Sequence, residues 1–160
     1  MGMNRLDQVR TAVDEILEGQ TDRQLKRDGY VHLYGVSLMT ADLAMRRGLD
    51  TECAAVMGLL HDIAKYQTGK DRGHEKRSAE AADALLKAMG VFDLDEIGLI
   101  TEAITLHRKK REHHGEYAEL LKDADALHHY LYPPGGVSNK EKKRLTALSE
   151  EIGLPLTVPL

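Results

Sequence analysis

Cysteine is almost absent from this chain of 160 residues, and the single Cys53 leaves no partner for an internal disulfide. Set in an apolar stretch, it reads as a small core residue with no chemical role. Long apolar runs are missing too. None approaches the roughly 20 residues of a membrane span, and Met1-Gly-Met-Asn-Arg-Leu-Asp carries no apolar signal core. The expectation is a soluble cytoplasmic protein with no membrane partner. Positive charge is not in excess, for the formal net charge is −4 and the isoelectric point about 6.1. A global drive toward nucleic acid is therefore excluded, and such contact would need a local basic patch. Alternating strand patterns, hairpin turn pairs, internal repeats and low-complexity segments are likewise scarce or lacking.

What is present is helical periodicity over nearly the whole length, with 42% hydrophobic residues, enough for one compact domain spanning 1–160. The predicted fold class is all-α. Leu6, Val9, Val13, Ile16 and Leu17 form a first stripe, capped at Asn4 and ending near Gly19. A second helix carries His32, Val36, Met39 and Leu43 and stops near Gly48. Asp50 or Thr51 then caps a buried helix, and Gln67 to Gly73, polar and with two glycines, reads as a mobile loop suited to a lid. Further helices are expected from His74 to Met89, with Gly90 as terminator, and over Ile97, Ile100, Ile104 and His107. Beyond a charged connection from Arg108 to Gly115, Leu120, Leu121, Ala124, Leu127 and Leu131 mark another helix, ended by Pro133-Pro-Gly-Gly. A last charged helix runs from Ser138 to about Ile152, and Leu154 to Leu160 form a short tail.

The chemistry begins at His61-Asp62, which closes the apolar run Ala54-Ala55-Val56-Met57-Gly58-Leu59-Leu60. Burying an ionisable pair is costly without a compensating positive charge. At a helix C-terminus the backbone dipole also favours a cation. A bound metal satisfies both demands. His32, His74, His107 and Asp125 also stand in or beside helical patterns. Taken in order, His32 with Gly35-Val36 and Ala41, Leu43 and Ala44, then Leu-Leu-His61-Asp62-Ile-Ala-Lys65, then Ala124-Asp125-Ala126-Leu127, resemble the HD-domain metal-dependent phosphohydrolases. Gly73-His74 with Arg77-Ser78-Ala79, and Ile104-Thr-Leu-His107, look like the extra histidine elements of some branches. The resemblance covers roughly Tyr30 to Tyr132.

That resemblance implies a helical bundle of the HD-domain type and a metal held by His32, His61, Asp62 and Asp125. Two imidazoles and two carboxylates without thiolate suit Mn²⁺, Fe²⁺, Co²⁺, Ni²⁺ or Mg²⁺ in an open site. Periodicity does not separate Asp123 from Asp125; the family element Ala-Asp-x-Leu selects Asp125. In dinuclear branches His74 and His107 bind a second ion while the Asp of the His-Asp pair bridges. In mononuclear relatives such residues line the pocket, so one ion or two remains open. The implied reaction is hydrolysis of a phosphate ester or anhydride of a nucleotide or related small molecule by metal-activated water. Asp62, Lys65, His74 and His107 are the catalytic candidates. Lys65, Arg77 and Arg108 are the substrate-binding ones, although the run Arg108-Lys-Lys-Arg111 also reads as a solvated face. His113, His114, His128 and His129 are expected at the surface. A dinuclear iron oxygenase with the same ligand order, and a non-catalytic nucleotide sensor, are the alternatives. A homodimer is open.

Overall fold

A computed structural model describes residues 2–132 and 136–156, and among these it contains eight helices and no strand. They are α1 (Arg5–Glu18), α2 (Arg23–Arg47), α3 (Thr51–Leu60), α4 (Ile63–Thr68), α5 (His74–Met89), α6 (Leu94–Leu106), α7 (Glu116–Leu131) and α8 (Asn139–Ile152). Short polar residues start most of them, satisfying amides that the first turn leaves free. Asn4 accepts from the Asp7 amide, Asp22 from Gln24 and Leu25, and Asp50, rather than Thr51, from Cys53. Asp93 with Glu96, and Ser138 with Glu141, form reciprocal capping boxes. Gly48 and Gly90 end α2 and α5 in the left-handed region that glycine adopts without penalty.

Helix α3 is buried on every side from Cys53 to Leu60, the expected environment for a helix apolar all round. It lies closest to α2. A Cβ on Gly58 would sit 2.6 Å from the Cα of Ser37 and 2.7 Å from its nitrogen, so the absent side chain sets how near the two helices come. Across that contact the Ser37 and Thr40 hydroxyls donate to the Ala55 and Ala54 carbonyls, both at 2.8 Å. Leu33, Val36, Leu43, Met57, Leu60, Ile100, Ile104, Leu120 and Leu121 complete the core around it. Each fully buried leucine or isoleucine contributes about 1.5–3 kcal/mol, which fixes the helices that carry the polar centre. Cys53 is buried among them, as the sequence suggested, and burial pushes its thiol up to about 12.

Two expectations change. Gln67 and Thr68 belong to α4, a short helix not foreseen, so the connection to α5 shrinks to 69–73. That connection is strapped down by Arg77, whose guanidinium donates to Thr68 Oγ1, the Lys70 carbonyl and the Arg72 carbonyl at 3.1, 2.7 and 3.0 Å. It is not a loose lid. The α7 helix ends at Leu131, whereas the Pro-Pro-Gly stop at 133–135 and the tail beyond 156 lie outside the described residues. No helix among the described residues is long and apolar enough to cross a membrane.

Candidate metal centre

Five separate stretches of chain bring six buried polar side chains to one point. His32 comes from the middle of α2, His61 caps the C-terminus of α3, and Asp62 sits in the break before α4 with φ −117° and ψ 14°. His74 opens α5, His107 caps the end of α6, and Asp125 projects from α7. None of the six is more than 6% exposed. Asp62 divides its carboxylate between two groups. Its Oδ2 lies 3.3 Å from His32 Nε2 and 3.6 Å from His61 Nε2, while Oδ1 lies 2.8 Å from His74 Nε2 and 3.2 Å from His107 Nε2. Asp125 Oδ1 joins the first group, 3.3 Å from His32 Nε2 and 3.5 Å from His61 Nε2. His32–His61–Asp62 and Asp62–His74–His107 are thus each a triad with ligand atoms within 4.8 Å of one another.

The backbone decides which ring nitrogen faces inward. His61, His74 and His107 each have Nδ1 2.7 Å from the carbonyl three residues earlier, those of Gly58, Asp71 and Ile104. A carbonyl only accepts, so Nδ1 carries the proton and Nε2 presents a lone pair to the centre. Neutral rings would then aim lone pairs at carboxylate oxygens, an arrangement that repels unless a cation lies between. Consistently, Asp62 Oδ1 and Asp125 Oδ1 are buried and have no hydrogen-bond partner, despite the close ring nitrogens. These orphaned oxygens and inward nitrogens fit a divalent metal ion, with nitrogen and oxygen donors and no thiolate.

Electrostatics point the same way. Burial alone would raise the carboxyls of Asp62 and Asp125, yet both are held well below the usual carboxylate range. For Asp62 the histidines gathered around it outweigh burial, and for Asp125 the Lys110 ammonium and the histidines do. Burial opposes charge on His32, but Asp125 and Asp62 raise it to about 9. Without a metal, a proton on His32 supplies the positive charge that two buried carboxylates demand. His61, wholly buried, is pushed down by desolvation.

The structure separates the two candidate acids of α7. Asp125 is in the cluster, whereas Asp123 pairs with Arg47 at 2.6 Å and Arg144 at 2.8 Å. Lys65 lies beside the centre, 3.5 Å from Asp71 Oδ1, and Arg108, half exposed, is 3.8 Å from Asp71 and 3.5 Å from Glu75. Both line a cavity of about 270 Å³ that opens onto Asp62, His74, His107 and Asp125. Arg77 does not line it; its guanidinium is spent on the 69–73 connection. A second cavity of about 390 Å³, with Asp28, Tyr66 and Tyr132 in its wall, adjoins at Lys65, His129 and Glu141.

Several contributors were not read from the sequence. Lys110 was hidden in a charged run, yet its ammonium pairs with Asp125 Oδ2 and donates to the His107 carbonyl at 2.9 Å. His128 and His129, expected at the surface, belong to the site. His128 is buried with Nδ1 3.0 Å from His32 Nδ1, and His129 sets Nε2 3.5 Å from Asp125 Oδ1 and Nδ1 2.6 Å from Glu141. Helical spacing held the signal, since His128 and His129 follow Asp125 by three and four residues. His114 is also partly buried, against Lys122 Nζ at 2.6 Å, whereas His113 is 88% exposed as expected.

An all-helical fold enclosing a buried histidine–aspartate cluster defines the class. The model of the HD domain family matches residues 29–130, and the chain belongs to that family. Its fold is similar to the crystal structure of a predicted HD superfamily hydrolase from an uncultured Thermotogales bacterium. The TM-score is 0.60 and the identity 24%, over 94% of this chain and 96% of that one. No curated protein matches the sequence.

Proposed function

We propose that the chain is a metal-dependent phosphohydrolase that cleaves a phosphate ester or anhydride of a small molecule of the nucleotide class. One observation carries the reading: a carboxylate shared between two histidine groups, on the floor of a cavity whose rim holds Lys65, Arg108 and Lys110. His32, His61, Asp62 and Asp125 would hold one ion, and Asp62, His74 and His107 a second. A divalent cation bound there supplies Lewis acidity and lowers the pKa of a water ligand from about 15.7 toward about 7.

The side chains supply binding and orientation. Lys65 and Arg108 reach Asp71 only at 3.5 and 3.8 Å, loose pairs that an incoming phosphate can exchange for its own oxygens. Lys110 keeps Asp125 ionised and turned inward. Ammonium and guanidinium groups on this rim match the negative charge that phosphoryl transfer spreads over the non-bridging oxygens.

The test starts from protein purified without added metal. Stoichiometric metal is expected in the wild type and is lost in His61→Ala and Asp62→Ala, with helical content kept. A panel of nucleotides and phosphate esters, assayed with Mn²⁺, Co²⁺, Ni²⁺ and Mg²⁺, should release phosphate that chelators suppress, and Lys65→Ala should raise KM while sparing metal. Failure to release phosphate with any of these metals, alongside substrate-dependent oxygen uptake by iron-loaded protein, would overturn the proposal in favour of an oxygenase. Tight nucleotide binding without either reaction would replace it with a sensor.

A further inference from the structure

His32 differs from the other three histidines in one respect. His61 and His107 cap helix ends and His74 follows a turn, so each finds a backbone carbonyl for Nδ1 three residues back. His32 lies in the interior of α2, where the carbonyls one turn back already accept helical N–H groups. Its Nδ1 needs a partner from elsewhere in the fold. The group 3.0 Å away is Nδ1 of His128, on α7.

Two further observations show that this place is built. His128 is buried, and its ring meets His32 edge-on with centroids 4.7 Å apart. Opposite it lies Gly35, one turn beyond His32, where a Cβ would come 2.5 Å from His128 Cδ2 and 2.6 Å from Nε2. Any larger residue at 35 displaces the imidazole. His128 also lines the cavity of about 390 Å³, so a ring pushed from Gly35 has space to turn into and its hydrogen bond to His32 is what gives way.

We infer that His128 is a positioning residue for the metal centre: seated by Gly35, it accepts the Nδ1–H of His32 and so turns the Nε2 lone pair of His32 toward the metal. The inference rests on the metal reading of the site. The proton count is determinate, because of two facing Nδ1 atoms one must donate. With the Nε2 of His32 given to the metal, the donor is His32, so His32 takes the Nδ1–H form and His128 the Nε2–H form. Partners that orient a metal-bound histidine are worth about 10–100-fold in metal affinity.

Titration of metal-free protein with Co²⁺, followed by visible absorption, tests this. His128→Leu, which fills the space but accepts nothing, should weaken Co²⁺ binding about 10–100-fold. His128→Asn, whose Oδ1 takes the place of Nδ1, should recover most of the loss. Gly35→Ala, with no polar group changed, should reproduce the loss, and combining it with His128→Leu should add little because both act through one hydrogen bond. Nitrogen-15 spectra of Zn²⁺-loaded wild type should show His32 protonated at Nδ1. Wild-type affinity in both His128→Leu and Gly35→Ala overturns the inference alone, and equal loss in His128→Leu and His128→Asn reduces His128 to packing. A wild type that binds no Co²⁺ overturns the metal reading with it. Should His128→Leu fail to fold, Gly35→Ala and the spectra still decide.

Discussion

Lys110 has a side chain only 7% exposed and its partner Asp125 one only 4% exposed, so water replaces either partner poorly. A buried carboxylate deprived of its partner costs about 1–3 kcal/mol or more. The ammonium also stands beside the place where a cation would bind, and like charges repel at such range. Lys110→Met should therefore lower the melting temperature of the metal-free protein. Yet added Mn²⁺ should raise the melting temperature of the variant more than that of the wild type. Thermal unfolding with and without Mn²⁺ checks both signs, and an equal rise in the two proteins would show that Lys110 does not compete with metal. Asp123, two residues before Asp125, has the opposite fate because both its oxygens are occupied by Arg47 and Arg144. Asp123→Asn should leave metal content intact.

Among the elements, α3 depends most on a residue with no side chain. The Ser37 backbone stands where a Cβ of Gly58 would be, and backbone cannot rotate away. Gly58→Ala should push α2 and α3 apart and cost about 1–3 kcal/mol, the usual range for overpacking. Urea denaturation measures it; an unchanged midpoint would mean the helices have slack. The neighbouring Ser37 and Thr40 bonds to α3 carbonyls should weaken in the same variant. Element by element, legibility followed length and periodicity. The helices α2, α5, α6 and α7 were readable because their apolar residues recur every three or four positions over several turns, and α3 because its apolar run is unbroken. The six residues of α4 are too few to show a period, and the last two, Gln67 and Thr68, were absorbed into a polar stretch. His61 and Asp62 stood out because they interrupt an apolar run. Lys110 did not, because a charged residue among charged residues carries no contrast, and His129, one of two adjacent histidines near a helix end, was marked only by its four-residue offset from Asp125. Their roles come from tertiary partners, Asp125 for both and Glu141 for His129 as well. Arg77 was placed on the substrate by its one-turn offset from His74, but spacing along one helix does not say which loop lies beside it.

For the molecule as a whole, the centre ties together α2, the break between α3 and α4, α5, α6 and α7. A metal bound to the native state and not to the unfolded chain stabilises by about 2.7 kcal/mol at a hundred times its dissociation constant. The melting temperature should climb with the logarithm of free metal concentration and fall back on chelation, and calorimetry at several Mn²⁺ concentrations reads the slope. A melting temperature indifferent to metal would mean that the cluster binds none.

The shared carboxylate of Asp62 gives this arrangement a kinetic signature. His74 and His107 come from the neighbouring helices α5 and α6, but His32 precedes them on α2 and Asp125 follows on α7, so no contiguous pair of helices holds the whole donor set. Closing such separated segments is slow relative to forming single helices. In stopped-flow refolding into Co²⁺, circular dichroism should recover first, and the visible band of the ion only once α7 has docked on α2. The colour of the bound ion would then time the final assembly step of the chain.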